Sequence, residues 1–265
     1  MTMLNTLWVG ESLGYLERLS IASAMAVGHG VTLYAYDHAT VNGVPEGVHV
    51  RDAREVMSDP RRTRLFDGPF KALGSDFFRY EIFHKDLGYW SDLDVIYLQQ
   101  LQFDDDYVFG WENDGISVNN AVMRLPQGPL LEELRTIPEE NWCPPFFGPK
   151  RRLSYYWKRA RGTVKLEDLP WGATGPAMVT YLARKYGVLD KAQPKEVFYP
   201  VPYEKAAVVL DDAGVVEGLV KPNTVAIHLW NSRLRGLLDR PPLAGTYLGS
   251  LGERLGVTWS PQDPA

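Results

Sequence analysis

The 265 residues carry 28 Lys and Arg against 33 Asp and Glu, a formal net charge of −5, and 45% of them are hydrophobic. That length suffices for one large α/β domain with its own core, and an acidic balance without a basic stripe argues against a nucleic-acid partner. The single cysteine, Cys143, excludes an intrachain disulfide and fits a reducing compartment.

No apolar run is long enough to cross a bilayer, and the opening MTMLNTLWVG lacks the basic and apolar regions of a signal peptide. A cytoplasmic protein is expected, with peripheral contact at the inner face of the membrane left open. Residues 4–9, LNTLWV, are an apolar run closed by Gly10 and read as a first buried parallel strand. A helix is expected over 12–27, capped by Ser12, with Leu16, Leu19, Ile21 and Met25 inward and Gly28 and Gly30 at its end. VTLYAY, residues 31–36, gives a second strand ending at Asp37. Strand–helix–strand of these lengths is a βαβ unit, and ligands bind beyond the carboxyl ends of such strands, where Trp8 and Asp37 stand. Residues 40–69 are less regular, with turns at Asn42-Gly43 and Pro45-Glu46-Gly47, a short third strand at VHV, and a solvated basic cluster of Arg61, Arg62 and Arg64.

The next helix is expected from Pro69 to Leu87, burying Phe70, Leu73, Phe77, Phe78, Ile82 and Phe83 and ending on Gly88 as its C′ residue. Asp76 and Arg79, three apart, share one of its faces. Asp92 and Asp94 follow at a turn-to-strand junction. In an extended segment their side chains project together, and two such carboxylates repel unless a cation with oxygen ligands lies between them. The apolar run Val95, Ile96, Tyr97 and Leu98 anchors the pair on a buried strand. YVFGWEN and DGISVNNAVMRL read as antiparallel strands, with a solvated acidic turn at Asp104, Asp105 and Asp106 before them. Residues 129–137 read as a short helix with Leu130, Leu131 and Leu134 inward.

Residues 138–172 hold five prolines and three tryptophans with no strong period, and read either as a lid or acceptor surface or as a packed connection. Within them Lys150, Arg151 and Arg152 form a solvated face or a contact for an anionic acceptor or a lipid head group. Thr174 caps a helix through Tyr186 with Pro176 in its first turn. EVFYPVPY, residues 196–203, reads as an edge strand broken by prolines. VAIHLWNS, residues 225–232, is a buried strand leading to His228, Trp230 and Asn231. Residues 246–256 make a closing helix, and the tail SPQDPA reads as frayed.

The string S-D-x-x-R-Y-E, followed about a dozen residues on by aromatic-x-D-x-D and an apolar run, resembles the sugar-nucleotide-binding core of metal-dependent GT-A glycosyltransferases. The branch is the one with a DXD sugar-binding region, family 32-like and akin to the catalytic domains of clostridial glucosylating toxins. The matching residues are Ser75, Asp76, Arg79, Asp92 and Asp94. Trp8-Val9-Gly10 matches the family's W-x-G, Thr174-Gly175-Pro176 its T-G-P, and His228 with Trp230 its H-x-W. Trp90 stands where the family has tyrosine.

The resemblance implies a single GT-A, Rossmann-like domain over 1–265, with a mixed, mostly parallel sheet flanked by helices. Residues 1–98 would be its nucleotide-sugar half, and 99–265 its acceptor half and a segment closing over the diphosphate. It implies that Trp8, with Val9, Gly10 and Asp37 beside it, holds the nucleotide base, and that Asp76 and Arg79 hold the sugar or its phosphate. Asn120, favoured over Asn119, would contact the sugar. Asp94, His228 and Asp92 would bind the metal, with Asp92 also reaching the ribose, and Trp90 and Trp230 would contact the donor. The nitrogen ligand favours Mn²⁺ over Mg²⁺. The implied reaction moves a sugar, with retention of configuration, from a nucleotide-sugar to a glycan or glycolipid acceptor in bacterial surface polysaccharide or lipopolysaccharide assembly. A UDP-sugar is the first expectation and GDP-mannose the second. Two other readings stay open: a metal-dependent phosphoesterase with His228 as acid or base, and a noncatalytic nucleotide-sugar-binding protein. Oligomeric state is not legible in the sequence.

Overall fold

Short runs of Val, Leu, Ile and aromatic residues become strands because alternate side chains can feed two separate cores. In the computed structural model, which describes residues 2–261, these are β1 (Met3–Trp8), β2 (Gly30–Ala35), β3 (His49–Asp52), β4 (Tyr89–Ser91), β5 (Val95–Tyr97), β6 (Val108–Asn113), β7 (Ser117–Arg124) and β8 (Ala226–His228). Among the described residues six of them form one mixed sheet in the order β3-β2-β1-β4-β7-β6. It is parallel from β3 to β4 and antiparallel at β7 and β6. β5 and β8 form a separate antiparallel pair. The last residues of the tail, 262–265, lie outside the described residues.

The helices are α1 (Tyr15–Ala26), α2 (Pro60–Thr63), α3 (Lys71–His84), α4 (Pro129–Arg135), α5 (Pro149–Arg159), α6 (Pro176–Lys185), α7 (Lys195–Phe198), α8 (Ala213–Glu217), α9 (Asn231–Leu234) and α10 (Tyr247–Leu255). One core packs Leu16, Leu19 and Ile21 of α1 and Leu248 and Leu251 of α10 with Leu4, Leu33 and Tyr89 and the β5–β8 pair. The other packs Phe77, Phe78, Ile82 and Phe83 of α3 with Leu130, Leu131 and Leu134 of α4, Met178 and Leu182 of α6, and Tyr34, Trp90 and Met123. Adjacent residues Tyr89 and Trp90 thus serve opposite cores, as a strand period of two requires. The result is a single α/β domain with a mixed sheet between helical layers. Ser20 of α1 also donates to the Val95 carbonyl at 2.8 Å, and Ser23 accepts from the Tyr97 N–H at 2.9 Å, which fixes β5 against that helix.

Several boundaries differ from the sequence expectation. α1 begins at Tyr15 rather than Ser12, because the 40s loop claims residues 11–13: Leu13 N–H donates to the Asn42 carbonyl and Asn42 N–H to the Glu11 carbonyl. Gly30 opens β2 instead of closing α1. Phe70 sits before α3 and is exposed. α3 ends in a Schellman motif whose left-handed C′ residue is Asp86, at φ 50°, with Leu87 N–H on the Ile82 carbonyl and Asp86 N–H on Phe83. Gly88 answers a different constraint: at φ +105° a Cβ there would lie 3.2 Å from the Met3 carbonyl. Thr174 does not cap α6; Gly175 is the residue at that position. The expected edge strand at 196–203 is instead one helical turn, α7, begun after Pro194. Pro200 and Pro202 lack the N–H a strand would need, and Phe198, Tyr199 and Val201 are drawn into the core. Residues 138–172, expected to be irregular, contain α5.

Candidate active site

The acidic pair does not lie on one strand. β4 is joined to β7 through Ser91 opposite Val122, and Asp92 N–H extends that ladder to the Ala121 carbonyl at 2.8 Å. β5 begins at Val95, opposite His228, in the other sheet. Asp92, Leu93 and Asp94 are therefore the turn that carries the chain from one sheet to the next. The expected junction is there, but the two carboxylates converge through that turn and not through the pleat of an extended segment. The Val95–His228 register, with Leu229 N–H on the Asp94 carbonyl at 2.8 Å, places the imidazole beside the acids.

One ligand atom each from Asp92, Asp94 and His228 lies within 4.8 Å of the others. His228 Nε2 is 3.1 Å from Asp94 Oδ1, and Asp94 Oδ2 accepts the Asn231 N–H at 2.8 Å. Burial works against the charge on both members of this pair, yet each overrides it in the other. The imidazole is held above its ordinary pKa by Asp94, and Asp94 is held below the ordinary carboxylate value by His228 and the Asn231 N–H. Asp92 is pushed up by burial and by Asp94, against the pull of Arg79. Asp92 Oδ1 accepts from Trp90 Nε1 at 2.6 Å and from Arg79 Nη2 at 3.1 Å. Two half-buried carboxylates and one buried imidazole, convergent, are a donor set that fits a divalent cation, with the nitrogen suiting Mn²⁺.

Arg79 joins that cluster to a second one. Its Nη1 donates to the Asn120 carbonyl at 2.9 Å and lies 3.6 Å from Asp76 Oδ1, and its guanidinium sits 5.0 Å from the centre of the Trp90 ring. Asp76 accepts from Asn120 Nδ2 at 3.0 Å and from the Thr174 hydroxyl at 2.8 Å. Burial raises its pKa, and Arg79 and these donors offset part of the rise. Tyr80 donates to the Thr174 carbonyl at 2.7 Å. Gly175 backs onto the same carboxylate, where a Cβ would lie 2.6 and 2.7 Å from the Asp76 oxygens. Asn119 turns elsewhere, to Glu112 and the Ala121 N–H.

Beside these clusters is a cavity of about 650 Å³ lined by Trp8, Val9, Gly10, Lys71, Ser75, Asn231 and Arg235, among others. Asn231 belongs to both places, since its main-chain N–H holds Asp94. A Cβ on Gly10 would press on the Trp8 ring at 3.1–3.2 Å, so glycine leaves the indole uncovered there. The Trp8 indole N–H is buried and has no hydrogen-bond partner.

The structure thus brings Asp76, Arg79, Asp92, Asp94, Asn120 and His228 into one connected network and puts Trp8, Val9 and Gly10 in the adjoining cavity. Three expected donor contacts are placed differently. Asp37 is exposed in the turn after β2, which ends early at Ala35, and it lines neither the cavity nor the carboxylate cluster. Trp90 is 2% exposed and meets Asp92 from within the core. Trp230 is buried, its N–H engaged by the Val201 carbonyl at 2.8 Å and its ring centroid 4.1 Å from that of His228. It backs the imidazole and presents no N–H to a ligand.

Sequence reasoning missed Lys71, whose Nζ reaches the Val9 carbonyl at 2.8 Å, and the Asn231 main chain. It also missed Thr174 as a partner of Asp76. The signal for Asn231 is conformational: Trp230 adopts φ +60°, a left-handed value rare for a bulky residue, and this aims the next N–H at Asp94.

No family model matches the chain, and no curated protein matches it. Among solved structures it is similar to the PaToxG glycosyltransferase, over 72% of this chain and 73% of that one, at 14% identity and a TM-score of 0.45. It is also similar to the glycosyltransferase GlyE of Streptococcus pneumoniae TIGR4, over 99% of this chain and 66% of that one, at 12% identity and a TM-score of 0.42.

Proposed function

We propose that this chain is a metal-dependent glycosyltransferase of the GT-A type it resembles in sequence, moving a sugar from a nucleotide-sugar to a glycan or glycolipid acceptor. The observation that carries the reading is the convergence of Asp92, Asp94 and His228 next to a cavity walled by Trp8. A UDP-sugar is the first donor to test and GDP-mannose the second. Retention of configuration and a place in bacterial surface polysaccharide or lipopolysaccharide assembly follow from the sequence resemblance.

The roles follow from what each residue touches. Trp8 offers an indole face to the base, and Gly10 keeps it uncovered. Lys71 and Arg235 line the cavity and supply positive charge for the two phosphates. Asp94, His228 and Asp92 hold the divalent ion, which when bound offsets charge on the departing nucleoside diphosphate. Arg79 and Trp90 orient Asp92 from behind and offset part of the rise that burial gives its pKa. Asp76, with Asn120 and Thr174, forms a fixed polar edge against which the sugar hydroxyls are positioned. Trp230 packs at a tilt behind His228 and fixes its ring.

The test is a thermal-shift and calorimetric series with UDP, GDP, TDP, CMP and their sugars, with and without Mn²⁺. A ligand that binds only the folded state raises Tm with the logarithm of its excess over Kd. One nucleoside diphosphate should bind in a Mn²⁺-dependent way and lose affinity about tenfold or more in Trp8→Ala, through loss of base stacking. Release of that diphosphate from its sugar should follow. Binding of no nucleotide, or nucleotide binding indifferent to Mn²⁺, sinks the reading.

A further inference from the structure

Helix α5, PKRRLSYYWKR, is attached to the rest of the domain by little. Tyr155 is its one buried residue, packed in a small satellite core with Phe147 and Val164. At 100° per residue, Leu153, Tyr156, Trp157 and Ala160 fall on the face opposite Tyr155, at the i, i+3, i+4, i+7 spacing of an apolar stripe. That stripe faces solvent: Leu153 is 65%, Tyr156 53% and Trp157 59% exposed. An outward stripe of this kind on a helix whose inward anchor is a single tyrosine has no explanation in the packing of the domain.

The flanks say what covers it. Lys150 and Arg161 border the stripe on one side and Arg152 and Arg159 on the other. Residues 149–165 contain seven of the chain's 28 Lys and Arg and no Asp or Glu, although the whole chain is at −5. Among the described residues none of these seven side chains forms an ion pair with a carboxylate. Arg161 lies over the Trp157 ring at 4.6 Å and Arg152 holds the Phe147 and Pro145 carbonyls, so two of the cations also brace the aromatic face and its base. A two-fold pairing with a second copy would set this basic band against itself. An anionic bilayer meets all the requirements: apolar depth for Leu153, Tyr156 and Trp157, and phosphates for the cations around them.

We infer that α5 is an interfacial helix that docks this protein on an anionic membrane surface, with Leu153, Tyr156 and Trp157 inserted and Lys150, Arg152, Arg159 and Arg161 on the head groups. The small core beneath it reaches α6 through Phe146 and Tyr181, whose rings lie 6.3 Å apart. α6 begins next to Gly175, which backs onto Asp76. The inference itself needs no catalytic activity.

The experiment is flotation of the full chain with vesicles of phosphatidylcholine alone, or with about one third phosphatidylglycerol, at low and high salt. The wild-type chain should bind only the anionic vesicles and release as salt rises. In the double variant Leu153→Ser/Trp157→Ser the lipid concentration for half-binding should rise by about tenfold or more. A control, Ile116→Ser/Leu243→Ser, removes two exposed apolar side chains elsewhere and should bind as wild type. Matching Tm values show that all three fold alike. The inference is overturned by no binding to anionic vesicles, by equal binding to neutral ones, or by unchanged binding in the Leu153/Trp157 variant. It is equally overturned by a concentration-dependent dimer that this variant abolishes in the absence of vesicle binding, which would make the occupant a second copy.

Discussion

Replacing Asp94 with alanine does more than remove a proposed metal ligand. The carboxylate accepts the Asn231 N–H at 2.8 Å and faces His228 Nε2 at 3.1 Å, and it thereby holds the 228–231 segment in place. That segment includes Trp230 in a left-handed conformation that its surroundings must maintain. A hydrogen bond to a charged group is worth about 1.5–3 kcal/mol, and breaking a buried pair costs about 3–5 kcal/mol when the survivor stays charged. His228 need not stay charged, because burial expels its proton once Asp94 is gone, so the expected loss is about 2–4 kcal/mol. For a domain of this size that is a fall of about 5–15 °C in Tm. Urea unfolding of wild type, Asp94→Ala and Asp94→Asn gives the measurement, the asparagine keeping an acceptor for Asn231 without the charge. The pH dependence has a definite sign. Asp94, with its folded pKa lowered, contributes stability above the ordinary carboxylate pKa and loses it as pH falls through the lowered value. His228, with its folded pKa raised, contributes below the ordinary imidazole pKa and loses it as pH rises through the raised value. The gap between wild type and Asp94→Ala should therefore be widest from about pH 4 to pH 6.5 and narrow on either side. An alanine variant within about 0.5 kcal/mol of wild type across that window would refute the reasoning, since surface-like behaviour is incompatible with those contacts.

The same pair makes cation binding pH-dependent: a ligating imidazole must be neutral, so Mn²⁺ affinity should rise as pH rises through the elevated His228 pKa, with proton release seen by calorimetry in buffers of different ionisation enthalpy. Affinity independent of pH between 5 and 8 would remove His228 from the ligand set. Trp90→Phe takes away the donor 2.6 Å from Asp92 while keeping an aromatic ring. It should cost about 1–3 kcal/mol in urea unfolding and weaken Mn²⁺ binding about tenfold or more as the orienting partner is lost. Unchanged Mn²⁺ affinity would confine Trp90 to packing. Gly175→Ala forces a methyl to within 2.6–2.9 Å of Asp76 and Asn120, an overpacking expected to cost about 1–3 kcal/mol. It should lower sugar transfer by about tenfold or more while leaving affinity for the free nucleoside diphosphate within about twofold, because in the proposed function the displaced edge positions the sugar and not the diphosphate. Equal losses for both would place Gly175 elsewhere in the donor site.

What could be read from the chain depended on the range of the interaction. β1, α1 and β2 were legible because their apolar periods and turn glycines are local. The closeness of Asp92 and Asp94 was legible too, but for the wrong reason. The crossing between two sheets that turns them together depends on β4 pairing with β7 and β5 with β8, partners about 30 and 130 residues away in sequence. α5 escaped detection although Leu153, Tyr156, Trp157 and Ala160 carry a helical period, because prolines crowd its approach and the period faces outward, leaving only Tyr155 to mark the inner side. The tryptophans show most clearly where local reading stops. Trp8, Trp90 and Trp230 all sit beside the motif residues, and an indole can stack on a ligand or fix a neighbour equally well. Exposure separates the roles. Trp8 lines the cavity, whereas Trp90 is in the core with its N–H on Asp92, and Trp230 is buried with its ring against His228. Two of the three proposed metal ligands are thus each held by an indole from behind. The two indoles that the resemblance implied as donor contacts, Trp90 and Trp230, are instead placed to fix proposed ligands of a cation.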